Sequence, residues 1–156
     1  MAKRNTILLK DYLHVRVELT ANAAITPGML IERMSTNKVR AHATPGGNVF
    51  PMFALEDNYQ GKTVNDAYAE DYPVQCWIPQ RGDEVYALLD DGENVAIGDF
   101  VESAGNGSLQ KHTADTVHSA GIFGNQIIGV VIEALDLSSS SGTYPETGKR
   151  VIIQIL

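Results

Sequence analysis

The residues of this chain best suited to chemistry are His112, Asp115 and His118, whose spacing could gather a divalent cation on one helical face. The stretch that carries them, KHTADTVHSAG, is rich in Thr, Ser and Gly and follows a hairpin signal. It reads as a loop in which these side chains are solvated, so no metal site is expected. His14 and His42 lie on strand-like segments with no Cys or His at ligand spacing. Gly61-Lys62-Thr63 looks like the end of a phosphate-binding loop, but the Gly required five positions earlier is Glu56, an anion where an anion would have to bind. No G-x-S-x-G turn presents a nucleophilic Ser, and Cys76 stands in mid-strand beside Trp77, where a cysteine behaves as a small buried apolar residue. Arg81-Gly82-Asp83 matches a cell-adhesion tripeptide, yet PQRGDE is better read as a turn ahead of the strand EVYALL. The acidic pairs Glu70-Asp71 and Asp90-Asp91 flank turns. No catalytic residue and no cofactor are expected, and the chain is not read as an enzyme.

What remains is the chemistry of contact. Tyr59, Tyr68, Tyr72 and Trp77 fall close together with Pro73 and Pro79 among them. Tyr and Trp bring large area at low entropic cost, so this cluster is expected at an interface between subunits. The net charge of −7 argues against a nucleic-acid partner, which needs clustered Lys and Arg. Twelve acids lie between Glu56 and Glu102 against Lys62 and Arg81 alone, whereas the first sixteen residues carry Lys3, Arg4, Lys10 and Arg16 against Asp11. Such asymmetry suits two ends that meet different partners. No apolar run approaches the ~18 residues of a membrane helix, and Ile7 to Leu9 is too short for a secretory signal, so synthesis in the cytoplasm without export is expected. A single cysteine cannot form an internal disulfide.

These residues must be positioned by strands. Leu13, Val15, Val17 and Leu19 alternate with polar residues, as do Val74, Cys76 and Ile78, then Val85, Ala87 and Leu89, then Val151, Ile153 and Ile155. Ile127 to Ile132 suits a strand covered on both faces. Asp91-Gly92 and Asn106-Gly107 supply the turn chemistry of tight hairpins. Helix is expected only within VNDAYAE, Val64 to Glu70. A repeat at a spacing of seventy residues aligns ITPGMLIE with VAIGDFVE, placing Gly28 over Gly98, Glu32 over Glu102 and His42 over His112, which marks 25–44 and 95–114 as a candidate duplicated hairpin. The fold class is all-β, a compact barrel-like body with long loops. Residues 1–20 are read as an N-terminal arm and first strand, 21–156 as one domain, and the Ser-rich 135–149 as a mobile loop.

VAIGDFVESA is similar to the opening strand of lipoyl and biotinyl carriers, but neither Asp-Gly nor Asn-Gly hairpin holds the lysine that would carry the group. Taken in order, AAITPGMLIE, FALEDNYQGKTVNDAYAEDYPVQCWIPQRGDEVYALL, GDFVESAGNGSLQ, IIGVVIEALD and RVIIQIL resemble the head decoration (cement) proteins of tailed phages. That resemblance implies a β-barrel or β-tulip-like body, a homotrimer seated at three-fold or quasi-three-fold positions on the outer capsid surface, and the major capsid protein as partner. It also implies an extended arm that reaches neighbouring capsid subunits, for which Lys3, Arg4, Ile7, Leu8 and Leu9 have the composition. Two other classes stay open. A head-fibre or receptor- or carbohydrate-binding virion protein would expose the Tyr/Trp cluster to solvent. A trimeric dUTPase-like nucleotide hydrolase matches in size, but its Pro-Arg-Ser-Ser and Gly-x-x-Asp-x-x-Tyr signatures are absent.

Overall fold

A computed structural model of the chain describes residues 5–10, 15–113, 124–139 and 149–156. Its strands are β1 (Leu8–Lys10), β2 (Val15–Ala21), β3 (Ile31–Arg33), β4 (Lys38–Ala41), β5 (Phe53–Ala54), β6 (Pro73–Ile78) and β7 (Glu84–Leu88). They continue as β8 (Asn94–Val95), β9 (Phe100–Ser103), β10 (Leu109–Lys111), β11 (Gly129–Glu133), β12 (Leu135–Asp136) and β13 (Arg150–Ile155). Among the described residues the one helical element is a 3₁₀ turn, Asn58–Gln60. The expected helix from Val64 to Glu70 is absent: Tyr68 there makes a β-bridge with Ile25, and Asp66 takes the backbone N–H of Thr63. Aspartate bonding its own backbone in this way favours turns over helix.

The alternation read from the sequence places the strands. Along β2, Leu19 and Ala21 turn inward while Arg16, Glu18 and Thr20 face solvent. β7 and β13 are covered on both faces, whereas β11 has Val131 in the core and Val130 half-buried. Asn106-Gly107 lies in the hairpin between β9 and β10. Asp91-Gly92 makes a turn but no hairpin, because β8 pairs with β12 instead of β7. That pairing also takes Leu135 and Asp136 out of the expected loop, and Lys149 at its far end is buried against Asp91; residues 140–148 lie outside the described residues.

The strands form three sheets rather than one closed barrel. Six run in the order β1-β7-β13-β11-β9-β10, five as β3-β4-β2-β6-β5, and β12 pairs β8. A bridge from Leu30 to Phe53 brings together the two outer strands of the five-stranded sheet, and one from Leu89 to Leu109 brings the end of β7 to β10 in the six-stranded sheet. The two sheets share one arrangement. Ile31, Glu32 and Arg33 pair with Ala41, Arg40 and Val39, and a shift of seventy residues gives the pairs of β9 and β10, Val101 with Lys111, Glu102 with Gln110 and Ser103 with Leu109. The correspondence continues beyond the hairpins. Cys76 pairs with Val17 on one side and Ala54 on the other; Ile153 stands in the same place between Val85 and Val131. The parallel pairing of Ala21 with Val39 has its counterpart in the parallel bridge of Leu89 to Leu109. Strands β2 to β6 and strands β7, β9, β10, β11 and β13 are two copies of one arrangement, the first half ending with β6 and the second beginning with β7.

The halves are joined by a shared core. Leu30, Phe53, Leu55, Val64 and Trp77 of the first pack with Val85, Leu89, Leu109, Ile128 and Ile153 of the second, and Ile25, Val39, Tyr68 and Cys76 form a smaller cluster within the first half. Gly28 sits where the halves meet: its N–H donates to Ala54 O and its carbonyl accepts from Leu88 N. Its φ is +92°, and Gly98, its counterpart, has +93°. A Cβ at Gly28 would lie 3.0 Å from Tyr86 O and 3.2 Å from Arg150 Nε, whereas at Gly98 nothing lies within 4 Å. Both alanine variants carry left-handed strain of ~1–2 kcal/mol, but only Gly28→Ala also forces the halves apart. Its urea-unfolding free energy is expected to fall by ~1 kcal/mol or more beyond that of Gly98→Ala; equal losses would show that the close approach at Gly28 carries no energy.

Candidate functional site

The N-terminal residues expected on a free arm are in part built into the body. Ile7 is completely buried in the shared core, its N–H donates to the Glu56 carboxylate at 3.0 Å, and its carbonyl accepts from Tyr86 N at 2.8 Å. Leu8 and Leu9 follow in β1, which pairs with β7, and both pack against the same core. Ile7, Leu8 and Leu9 therefore stop an edge of the six-stranded sheet instead of waiting for a partner's. Lys3 and Arg4 lie outside the described residues. Glu56, read as the residue that spoils a phosphate loop, is the buried acceptor that seats this segment.

The aromatic cluster divides in two. Trp77 is fully buried in the shared core, and Tyr68 is buried with its hydroxyl donating to Leu55 O at 2.8 Å; burial pushes its phenol well above the ordinary range. Neither ring is available to another subunit, which corrects their assignment to a subunit contact. Tyr59 and Tyr72 are exposed, and Tyr72 edges a shallow groove with Asp57, Gln60, Lys62 and Asp66. Strand position marked Trp77 only as covered, by the core or by a partner, and the turn residues around the three tyrosines did not separate Tyr68 from Tyr59 and Tyr72.

Groups with reactive chemistry are held inside. Cys76 is buried, its thiol pushed up to about 12 by that burial, so it stays protonated. The Asp83 carboxylate of Arg81-Gly82-Asp83 accepts from Gln80 N at 2.7 Å and is fully buried, unlike a displayed adhesion motif. His112 faces Glu102, with 2.5 Å between Nδ1 and Oε2; Asp115 and His118 lie outside the described residues. No group of three metal-ligating side chains occurs among the described residues.

A buried polar seam was not anticipated. His42 Nδ1 lies 2.6 Å from Ser103 Oγ, and its Nε2 lies 3.6 Å from Glu32 Oε2. Ser, His and Glu in this order resemble a nucleophile, base and acid, but Ser103 is fully buried and accepts from Gly105 N at 3.1 Å. A substrate cannot reach it, and the seam fastens the first hairpin to the second. The counterpart is the Glu102–His112 pair: Arg40 donates to Glu32 Oε1 at 2.7 Å and Gln110 to Glu102 Oε1 at 2.8 Å, from the same strand position. The seventy-residue repeat placed Glu and His alike in both hairpins; Ser103, sixty-one residues from His42, carried no such signal. Beside Glu32 opens a surface groove of about 510 Å³, lined by Arg33, Asn48, Val49, Met52 and Ile78 with Phe50 exposed at its edge.

The fold is that of a tandem β-structure whose halves share one core, and such an arrangement has been solved before. The chain is similar to the crystal structure of the N base of the head fibre gp8.5 of bacteriophage phi29, with a TM-score of 0.57 and 11% sequence identity, covering 92% of this chain and 95% of that one. No protein-family profile and no curated protein matches the sequence. At this identity the likeness is one of fold.

Two outcomes follow from the seam and the seated segment. Burial lowers the His42 imidazole from its ordinary 6.5, against the opposing pull of Glu32. On acidification the unfolded chain is protonated first, so the native state is favoured fully above that value and loses this contribution as pH falls below it. The urea midpoint is expected to drop between about pH 7.5 and pH 5.5, and to drop less in His42→Gln; parallel falls would assign the sensitivity to other groups. Ile7→Ala is expected to destabilise the free protein by ~2–5 kcal/mol, as for other large-to-small core changes; an unchanged thermal transition would return Ile7 to a free arm.

Proposed function

We propose that this chain is a head-attached structural protein of a tailed-phage virion, fixed to the outer surface of the major capsid protein shell as a homo-oligomer, in the manner of a fibre base. The observation that carries the reading is the end-to-end likeness to a phage head-fibre base, which takes in nearly the whole of both chains. The ordered resemblance of five sequence segments to head decoration proteins points to the same location on the virion. Among the described residues Cys76, Ser103 and Asp83 are buried, while Phe50, Tyr59, Tyr72, Ile97 and Phe100 are exposed, as suits a protein that works by contact. Lys3 and Arg4, ahead of the seated β1, supply the charged part of the capsid contact.

The purified protein should co-sediment with capsids lacking it, saturate at three-fold or quasi-three-fold positions in cryo-electron micrographs, and bind less at high salt, since screening weakens the Lys3 and Arg4 contacts. Heads that saturate with the protein yet release their DNA at an unchanged temperature identify a fibre base; a raised release temperature identifies a shell-stabilising decoration protein. Absence of the protein from the pelleted heads at every salt concentration would end both readings.

A further inference from the structure

The joint between the halves is made once within the chain, yet the chain carries its components twice. On the first half Thr26, Pro27, Gly28 and Leu30 are buried, the last three in contact with the second half. Leu88 N donates to Gly28 O at 3.0 Å, Leu30 N donates to Gly107 O at 2.8 Å, and the Arg150 guanidinium donates to Pro27 O at 3.2 Å. The counterparts of the buried four in the second half are Ala96, Ile97, Gly98 and Phe100, and all of them are exposed. Ile97 is 71% and Phe100 45% accessible.

The receiving side shows the reverse. Leu88, Gly107 and Arg150 are buried in the joint; their counterparts on the first half, Thr20, Asn37 and Pro73, are exposed. Their backbone is already shaped alike. Asn37 holds φ at +62° as Gly107 does at +84°, and Ala21 N donates to Tyr72 O as Leu89 N does to Lys149 O. Tyr72 and Pro73 give this surface an apolar edge to meet Ile97 and Phe100. Each molecule thus presents an exposed counterpart of the inserting face at one end and an exposed counterpart of the receiving face at the other, alike in backbone to the joint it contains, with Pro73 in place of Arg150.

We propose that copies of this chain join head to tail through a contact that repeats the internal joint, the Ile97–Phe100 face of one copy seated on Thr20, Asn37, Tyr72 and Pro73 of the next. This rests on the reading that the protein works as an assembly of copies, and it names the surfaces. A heterologous contact closes into a ring when the rotation allows, which accommodates the expected trimer. It also gives a partner to Ile97 and Phe100, two of the large apolar side chains exposed among the described residues.

The test uses full-length chains carrying Ile97→Cys or Pro73→Cys and a short bis-maleimide; buried, protonated Cys76 does not compete. Neither variant alone should cross-link, and an equal mixture should give a covalent dimer. Ile97→Glu, a surface change that leaves the core intact, should weaken self-association at least tenfold by light scattering at micromolar concentration. Cross-linking of Ile97→Cys with itself would show a two-fold contact and overturn the proposal. A wild type that stays monomeric, or a mixture that yields no dimer, would overturn it as well. Co-sedimentation of wild type with heads is read separately: its failure with cross-links intact removes the virion reading and leaves the joint, and its success without cross-links removes the joint alone.

Discussion

One buried cation, Arg150, ties the two halves together in addition to their shared core. Arg150, near the start of β13, donates to the carbonyls of Pro27 and Val64 and to Asn65 Oδ1, and its guanidinium lies 6.0 Å from the centre of the Tyr86 ring. Burying such a group costs several kcal/mol unless its donors are met, and here they are met by two loops of the other half. The guanidinium's fixed fork suits divergent carbonyls better than an ammonium would. Its counterpart in the first half is Pro73, which has no donor at all. The halves are alike in backbone and differ in side chain at the place where one must grip the other.

That difference explains how much was legible in sequence. Strands such as β2, β6, β7 and β13 announce themselves by alternation, because a pleated chain with one covered face must alternate. The repeat was visible where backbone geometry demands a residue type, at Gly28 and Gly98, or where a cross-strand pair is kept, at Glu32 with His42 and Glu102 with His112. It faded along β5, β6, β11 and β13. There the covered faces meet different neighbours, and Trp77 occupies the position that Gln154 takes in the other half.

The misreadings share one cause. Ile7 to Leu9 looked like a loose end because nothing nearby in sequence buries them; Glu56, Val85 and Tyr86 do, and all are far along the chain. Asp91-Gly92 had the composition of a hairpin, but β8 found β12 through a long connection. Tyr68 and Trp77 resembled a sticky surface because aromatic content is the same in a core and in an interface before folding. Local chemistry fixes turns and faces; only topology decides which faces are hidden.

The placement of β13 also sets an order of events during synthesis. It runs between β7 and β11, while every strand of the five-stranded sheet has been synthesised by Ile78. The first sheet can complete its pairing early, from β2 to β6. The six-stranded sheet stays split, with edges of β7 and β11 unpaired, until residues 150–155 arrive and zip between them. Such non-local pairing is slow, and open strand edges invite mispairing while they wait. In a crowded cell making many copies at once, the interval between these two stages is when the nascent chain is most exposed to its own neighbours.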